Sequence, residues 1–363
     1  MTPPTLRRSE AGYSLIELLV ASAVMLVVTG AIFGLMNPSQ GMSQAAPEVS
    51  DLQQRMRVST DALFKELVMA GAGTYQGPVT GSLINFFAPI LPRRTGLVNP
   101  DPPTVFRPDT ITLTYIPNTY SQTTISQPMP PQSTELKVND QPNCPQGEEL
   151  CGFEIGMVVL IFDSSGHFDT FEVTQVQDDA AHLQHRGQDL THRYESGASV
   201  TQAVSSTIYL NRTTNQLVRY DGGGGERPLV DNVVDLQISY FGDPNPPLKP
   251  KPAAGDANCL YDSSGNYIGP GVLPAIDGSL AALTPAMLTD GPFCGGGSNQ
   301  FDPDLLRVRK VRMTLRLQVA NAQLRGTDQT LWRNPGLAQA AEKLVPDYAV
   351  TFEVTPRNLN LAR

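Results

Sequence analysis

The run YSLIELLVASAVMLVVTGAIFGLM, residues 13–36, decides how this chain is read. From Leu18 to Met36 it holds no charged residue. At ~1.5 Å per residue a helix over that stretch spans roughly 28 Å, one hydrocarbon thickness. Arg7 and Arg8 stand before it, which predicts a cytoplasmic N-terminus with the rest of the chain exported. A cleaved secretory signal has an apolar core of about 7–15 residues, shorter than this one. Ser43-Gln44-Ala45 nonetheless resembles a signal-peptidase site. A twin-arginine signal fits less well, because Ser9-Glu10 follows the pair where apolar residues belong. A plain anchor explains the length but not Glu17, since a carboxylate near the bilayer centre costs on the order of 2.5–3.5 kcal/mol. Glu17 lies one turn from Tyr13, within reach of the interface and of the positive end of the helix dipole.

Composition narrows the rest. Among 363 residues there are 31 Gly and 31 Pro, which argues against a helical bundle and for short strands joined by many loops. The formal charge of −9 makes general nucleic-acid binding unfavourable, because phosphate neutralisation needs a basic face. Four His and four Cys, scattered, are poor material for a metal enzyme, and no cofactor is expected. A single apolar run excludes a multi-span membrane protein.

Asn37-Pro38 is expected to interrupt the helix where the hydrocarbon span ends. A second, amphipathic helical stretch follows over about residues 47–70, with Leu52, Met56, Leu63 and Leu67 on one stripe and Gly71 and Gly73 at its end. From residue 74 the period becomes two. Thr110–Ile116, Met157–Phe162, Phe171–Val173, Val234–Tyr240, Val311–Val319 and Val350–Val354 read as strands. Ile208–Leu210 and Leu217–Val218 flank Arg212-Thr213-Thr214-Asn215 as a hairpin. Loops are expected at 89–108, 128–145, 222–225 and 243–252, and no internal repeat is apparent. The fold class is α+β: one long N-terminal helix on an antiparallel sheet with long insertions.

Gly12-Tyr13-Ser14-Leu15-Ile16-Glu17-Leu18-Leu19-Val20-Ala21 resembles the type III signal of type IV pilins and type II secretion pseudopilins. The resemblance implies cleavage after Gly12 by a prepilin peptidase and N-methylation of Tyr13, which stands where Phe is commoner. It also implies that Glu17 neutralises the N-terminal amine of a neighbouring subunit. The chain is then organised as a leader 1–12, a transmembrane and filament-core helix 13–36, an amphipathic continuation 37–73 and a periplasmic or extracellular head 74–363. Downstream, Leu67-Val68-Met69-Ala70-Gly71, Gly156–Ile161, Ser206–Leu210, Leu217–Tyr220, Leu229–Tyr240 and Thr355–Asn358 resemble the PilW family of minor pilins. That likeness implies a non-enzymatic subunit, held in the inner membrane and then at the pilus tip. Its partners would be other minor pilins, the major pilin and a PilY-type adhesin. The same-fold alternative is the J-type minor pseudopilin of a type II secretion system. A membrane-anchored exported enzyme is the third.

Four Cys admit three pairings, and local pairing, Cys144 with Cys151 and Cys259 with Cys294, is expected in an oxidising compartment. No Cys or His spacing suits zinc. His182, His185 and His192 are expected to be solvated or loop residues rather than a shared metal site. Asp178-Asp179, Asp221 and Asp262 read as turn residues rather than calcium ligands. Arg307, Arg309, Lys310, Arg312 and Arg316 form one basic strand, read as a solvated face. No catalytic motif is present.

Overall fold

The computed structural model describes residues 12–75, 81–82, 87–96, 98, 101–102, 104–117, 120–141, 144–223, 225–276, 278–289, 302–338 and 344–360. It divides into two units, Met1–Gln53 with Val319–Asp347, and Gln54–Gln318 with Tyr348–Arg363. Helix α1 (Leu15–Met69) is unbroken over 55 residues. The interruption expected at Asn37-Pro38 is therefore absent. A proline removes one i→i−4 bond and presses its ring on the carbonyl four residues back. That carbonyl belongs here to Gly34, and long helix on either side removes the cost of a new nucleus. The expected stripe is buried: Leu52, Met56, Leu63 and Leu67 are 4%, 6%, 0% and 0% exposed.

In the first unit, Trp332 ties the described residues 319–338 to 344–347. Its indole Nε1 donates to the Val345 carbonyl at 2.8 Å. Gly326 lies under the ring, where an added Cβ would come within 2.7 Å of it.

In the second unit α1 ends on glycine, as expected. Gly71 and Gly73 take φ of 70° and 98°, a region that glycine enters without a steric penalty. The strands that follow are short at first: β1 (Thr74–Tyr75), β2 (Gly81–Ser82), β3 (Ile90–Pro92), β4 (Thr110–Tyr115), β5 (Gln122–Thr124) and β6 (Glu135–Lys137). Next come β7 (Val158–Phe162), β8 (Phe168–Glu172), β9 (Gln175–Gln177), β10 (His182–Gln184) and β11 (Ser199–Gln202). Then β12 (Val204–Asn211), β13 (Gln216–Tyr220) and β14 (Glu226–Asp231) form a meander, and β15 (Val233–Gly242) follows in another sheet. Last are β16 (Ala281–Leu283), β17 (Val308–Leu317) and β18 (Tyr348–Val354). Two loops expected from proline content thus contain a strand each, β3 and β6.

One sheet was expected; the described residues form five, all antiparallel. Two of them are a five-stranded sheet, β14-β13-β12-β4-β3, and a four-stranded one, β16-β15-β17-β18. The Gly71 amide donates to the Thr114 carbonyl and the Ile116 amide to the Ala72 carbonyl, stitching helix to β4. Arg219 on β13 pairs with Glu66 at 3.3 Å. Asn358 Nδ2 donates to the Val68 carbonyl at 3.2 Å. The hairpin at 212–215 forms as read, with Leu210 opposite Leu217. Between β4 and β12 the chain builds a folded excursion from the sheets β6-β10-β9 and β5-β11-β7-β8. Its core includes Ile125, Leu136, Val159, Ile161, Leu183 and Val200. A core of its own explains why this long segment reads as strands rather than as loop.

Candidate functional site

At the start of the apolar span the helix opens with a reciprocal cap. The Ser14 amide donates to Glu17 Oε2 at 2.9 Å, and the Glu17 amide donates to Ser14 Oγ at 3.2 Å. This is a capping box, in which Ser and a Glu three residues on satisfy each other's orphan amides. Ser14-x-x-Glu17 carries that signature in the sequence, and the sequence reading missed it by assigning Glu17 to the dipole and the interface. Tyr13 is 90% exposed and an added Cβ on Gly12 would meet nothing within 4 Å. The peptide bond between them lies in irregular backbone just before the helix, open to an enzyme. Leu15–Gly34 has mean hydropathy 2.4 and is 0% buried. Apolar surface of that extent calls for lipid or other apolar helices around it.

In the head, Cys144 and Cys151 form the expected disulfide, with Cα atoms 5.5 Å apart. Asp178 accepts from the Glu149 and Leu150 amides at 3.1 and 2.7 Å, so it pins the disulfide loop from a distance. Cys259 is disulfide-bonded; Cys294, its expected partner, lies outside the described residues.

His185 and His192 lie in loops, as one branch of the reading had it, and His182 in β10, but the three are less solvated than a surface loop implies. His185 is fully buried; its Nδ1 bonds the Gln188 carbonyl at 2.8 Å, and burial pushes its pKa down. His182 pairs with Glu135 at 2.9 Å. His192 stacks at 4.3 Å on His167, a histidine the reading left out. The Asp163 hydrogen bond to His167 raises its pKa against the effect of burial. Burial acts to raise the Asp169 carboxyl, but bonds from His192, Thr191 and Tyr194 outweigh it and hold the pKa below the ordinary value. Among the described residues no group of three His, Cys, Asp or Glu is placed to hold a metal ion.

The basic strand is likewise not one solvated face. Arg307 is buried, paired with Asp304 at 2.7 Å, and donates to the carbonyls of Pro244 and Gly271. It closes the base of the insertion that follows β15. Lys310 and Arg312 both reach Glu353 on β18 and hold its carboxyl below the usual range.

Phe162-Asp163-Ser164-Ser165-Gly166-His167-Phe168 and Tyr261-Asp262-Ser263-Ser264-Gly265-Asn266-Tyr267 repeat one pattern, aromatic-DSSG-His/Asn-aromatic. This corrects the absence of internal repeats. Both fold as the same turn. Asp163 Oδ1 accepts from the Ser165 and His167 amides at 2.8 and 3.1 Å, and Asp262 Oδ1 from Ser264 and Asn266 at 3.0 and 2.8 Å. Asn258 Nδ2 joins the two turns' neighbourhoods, donating to Ser164 and Pro250 carbonyls. A cavity of about 500 Å³ lies beside the first turn, with Ser165, His167, Arg193, Glu195 and Asp256 on its walls.

Compared over its length, the chain matches no curated protein and no solved structure. Residues 7–33 match the family model described as the prokaryotic N-terminal methylation motif, so the capped helix start with its apolar span carries a type IV pilin-like prepilin signal.

Proposed function

We propose that this chain is a minor pilin of the PilW kind, which primes type IV pilus assembly and takes a place in the tip complex beside a PilY-type adhesin. The methylation motif over residues 7–33 carries the reading. Proteins with this motif are processed by prepilin peptidase and assemble with other pilins, and an apolar helix followed by a β-rich head is consistent with anchoring and then incorporation. Cleavage falls between Gly12 and Tyr13, and Tyr13 becomes the methylated terminus. The helix stores the subunit in the bilayer and moves with its apolar surface covered into the filament core. Glu17 meets a neighbour's terminal amine there, since a buried charge left alone costs far more than one that is paired. The role is structural, and the head supplies the specificity.

The test is deletion of the gene with epitope-tagged wild-type complementation. Filament loss on deletion, gold label at filament ends and an N-methyl-Tyr13 terminus by mass spectrometry are expected. A mature start near Ala46 overturns the prepilin reading. Loss of exoprotein secretion with pili intact overturns the pilus reading in favour of the J-type pseudopilin.

A further inference from the structure

His185 follows β10, and the proposed function makes no use of it. Its side chain is 0% exposed. Nδ1 stands 2.8 Å from the Gln188 carbonyl, so Nδ1 carries the proton and Nε2 is a bare acceptor. Nε2 is buried and has no hydrogen-bond partner among the described residues. The Phe171 ring lies against the imidazole, with centroids 4.7 Å apart, and is apolar.

The ring fastens a strap, residues 185–191. The His185 and Leu190 amides donate to the Thr134 and Pro131 carbonyls at 3.0 and 3.1 Å, and the Gln188 amide returns to the His185 carbonyl at 3.2 Å. From this turn the Gln188 carboxamide reaches β8, the last strand of its sheet. The Glu172 amide donates to Gln188 Oε1 at 2.8 Å, and Gln188 Nε2 donates to the Glu172 carbonyl at 3.0 Å. Thr191 ends the strap, its amide and hydroxyl donating to Asp169 Oδ1 at 3.1 and 2.6 Å. The edge of β8 is therefore covered by side chains that hang from the His185 turn.

Asp189 and Asp169 are the carboxylates that favour a charged ring, and burial outweighs both. Asp169 is engaged by Thr191, His192 and Tyr194. Glu172 lies on β8 itself. On β10 and β6, His182 and Glu135 pair with each other. Arg186 bonds to the side chains of Gln184 and Gln175. None of these groups gives Nε2 a partner. A second proton on the ring would create a buried N–H without an acceptor and a charge without solvent.

We propose that His185 is an acid-release latch: charging its ring at Nε2 drives it out of the core, frees Gln188 and lifts the strap 185–191 from the edge of β8. The released chain binds one proton more than the latched chain, so acid favours release. With the released ring titrating near 6.5, a change from pH 7.5 to pH 5 raises the open fraction by up to about 30-fold. The latch acts in the head whether or not the chain enters a filament.

The experiment follows the full-length chain in mild detergent by peptide-resolved amide exchange at pH 7.5 and pH 5, corrected for the intrinsic pH dependence of exchange. Protection of residues 168–172 and 185–191 should fall at least fivefold in acid, while protection of β17 stays within twofold. In His185→Asn, whose carboxamide can donate to the Gln188 carbonyl but does not titrate, the change should be less than twofold. Equal protection of the wild type at the two pH values, or the same acid loss in His185→Asn, overturns the latch. An equal loss in β17 marks global acid unfolding and overturns it as well. So does an acid loss that only His192→Asn abolishes, which belongs to the His167–His192 stack. If His185→Asn misfolds, shown by loss of the membrane pool, deuterium uptake at the imidazole C2 of wild-type His185 decides. A titration midpoint below 6.5 supports the latch, and one at or above 6.5 overturns it.

Discussion

At the scale of single residues, Glu17 has two separable tasks. Its side chain caps its own helix through Ser14, and in the proposed filament its charge meets a neighbour's amine. Glutamine at this position keeps a capping box and removes the charge. Glu17→Gln is therefore expected to insert and be processed yet fail to enter filaments. Ser14→Ala should cost about 1 kcal/mol of helix-end stability and leave filament numbers within about twofold, counted at equal membrane level. Filaments from Glu17→Gln at the wild-type number would reduce the residue to a cap. His167 supplies a second prediction. Its folded pKa is raised, so its stabilisation is fully present below the ordinary histidine value of 6.5 and is lost as pH rises through the folded value. His185, lowered by burial, works the other way, favouring unfolding in acid. The difference in melting temperature between wild type and His167→Asn isolates the first: it should widen as pH falls from 8 to 6. The effect is about 1 kcal/mol or less, because the ring is 37% exposed. Asn is the residue the second DSSG turn already uses, so the turn itself should survive. The Cys144–Cys151 disulfide and the methylation motif over residues 7–33 were legible because each is local in the chain. The His167–His192 stack was not, since the two rings meet only when β8 and the segment after β10 are brought together.

At the scale of elements, periodicity was a sound guide wherever one face alone is buried. The stripe of α1 and the alternation of β17 were read correctly for that reason. It was a poor guide at proline, because a local cost of about 3 kcal/mol was set against no estimate of what fifty other helical residues contribute. The basic strand failed differently: five cations on one stretch look alike in sequence, and burial sorts them. Arg307→Ala should leave Asp304 buried without its charge partner and release Pro244 and Gly271. Loss of one member of a buried pair costs roughly 3–5 kcal/mol. Limited proteolysis of the full chain should show new cuts within residues 244–271, while Arg312→Ala, on the exposed face, should show none. Lysine at 307 should not rescue, lacking the planar fork that serves two carbonyls and a carboxylate together.

At the scale of the whole molecule, the α+β class was legible, and the number of sheets was not. Strand signals say nothing about which strands share a sheet, and the excursion between β4 and β12 hid a separate core among proline-rich loops. That excursion is held at its rim by Cys144–Cys151 and Asp178. Closing a loop this short is worth about 2.5 kcal/mol in the chain-entropy account. Cys144→Ser with Cys151→Ser should lower the denaturant midpoint of residues 120–203, followed by peptide-resolved exchange, and leave exchange in β15 and β17 unchanged. The unbroken α1 has a mechanical consequence. At ~1.5 Å per residue its 55 residues make a rod roughly 80 Å long. A pull along its axis meets hydrogen-bonded backbone from Leu15 to Met69, with no loop within the helix to pay out as slack.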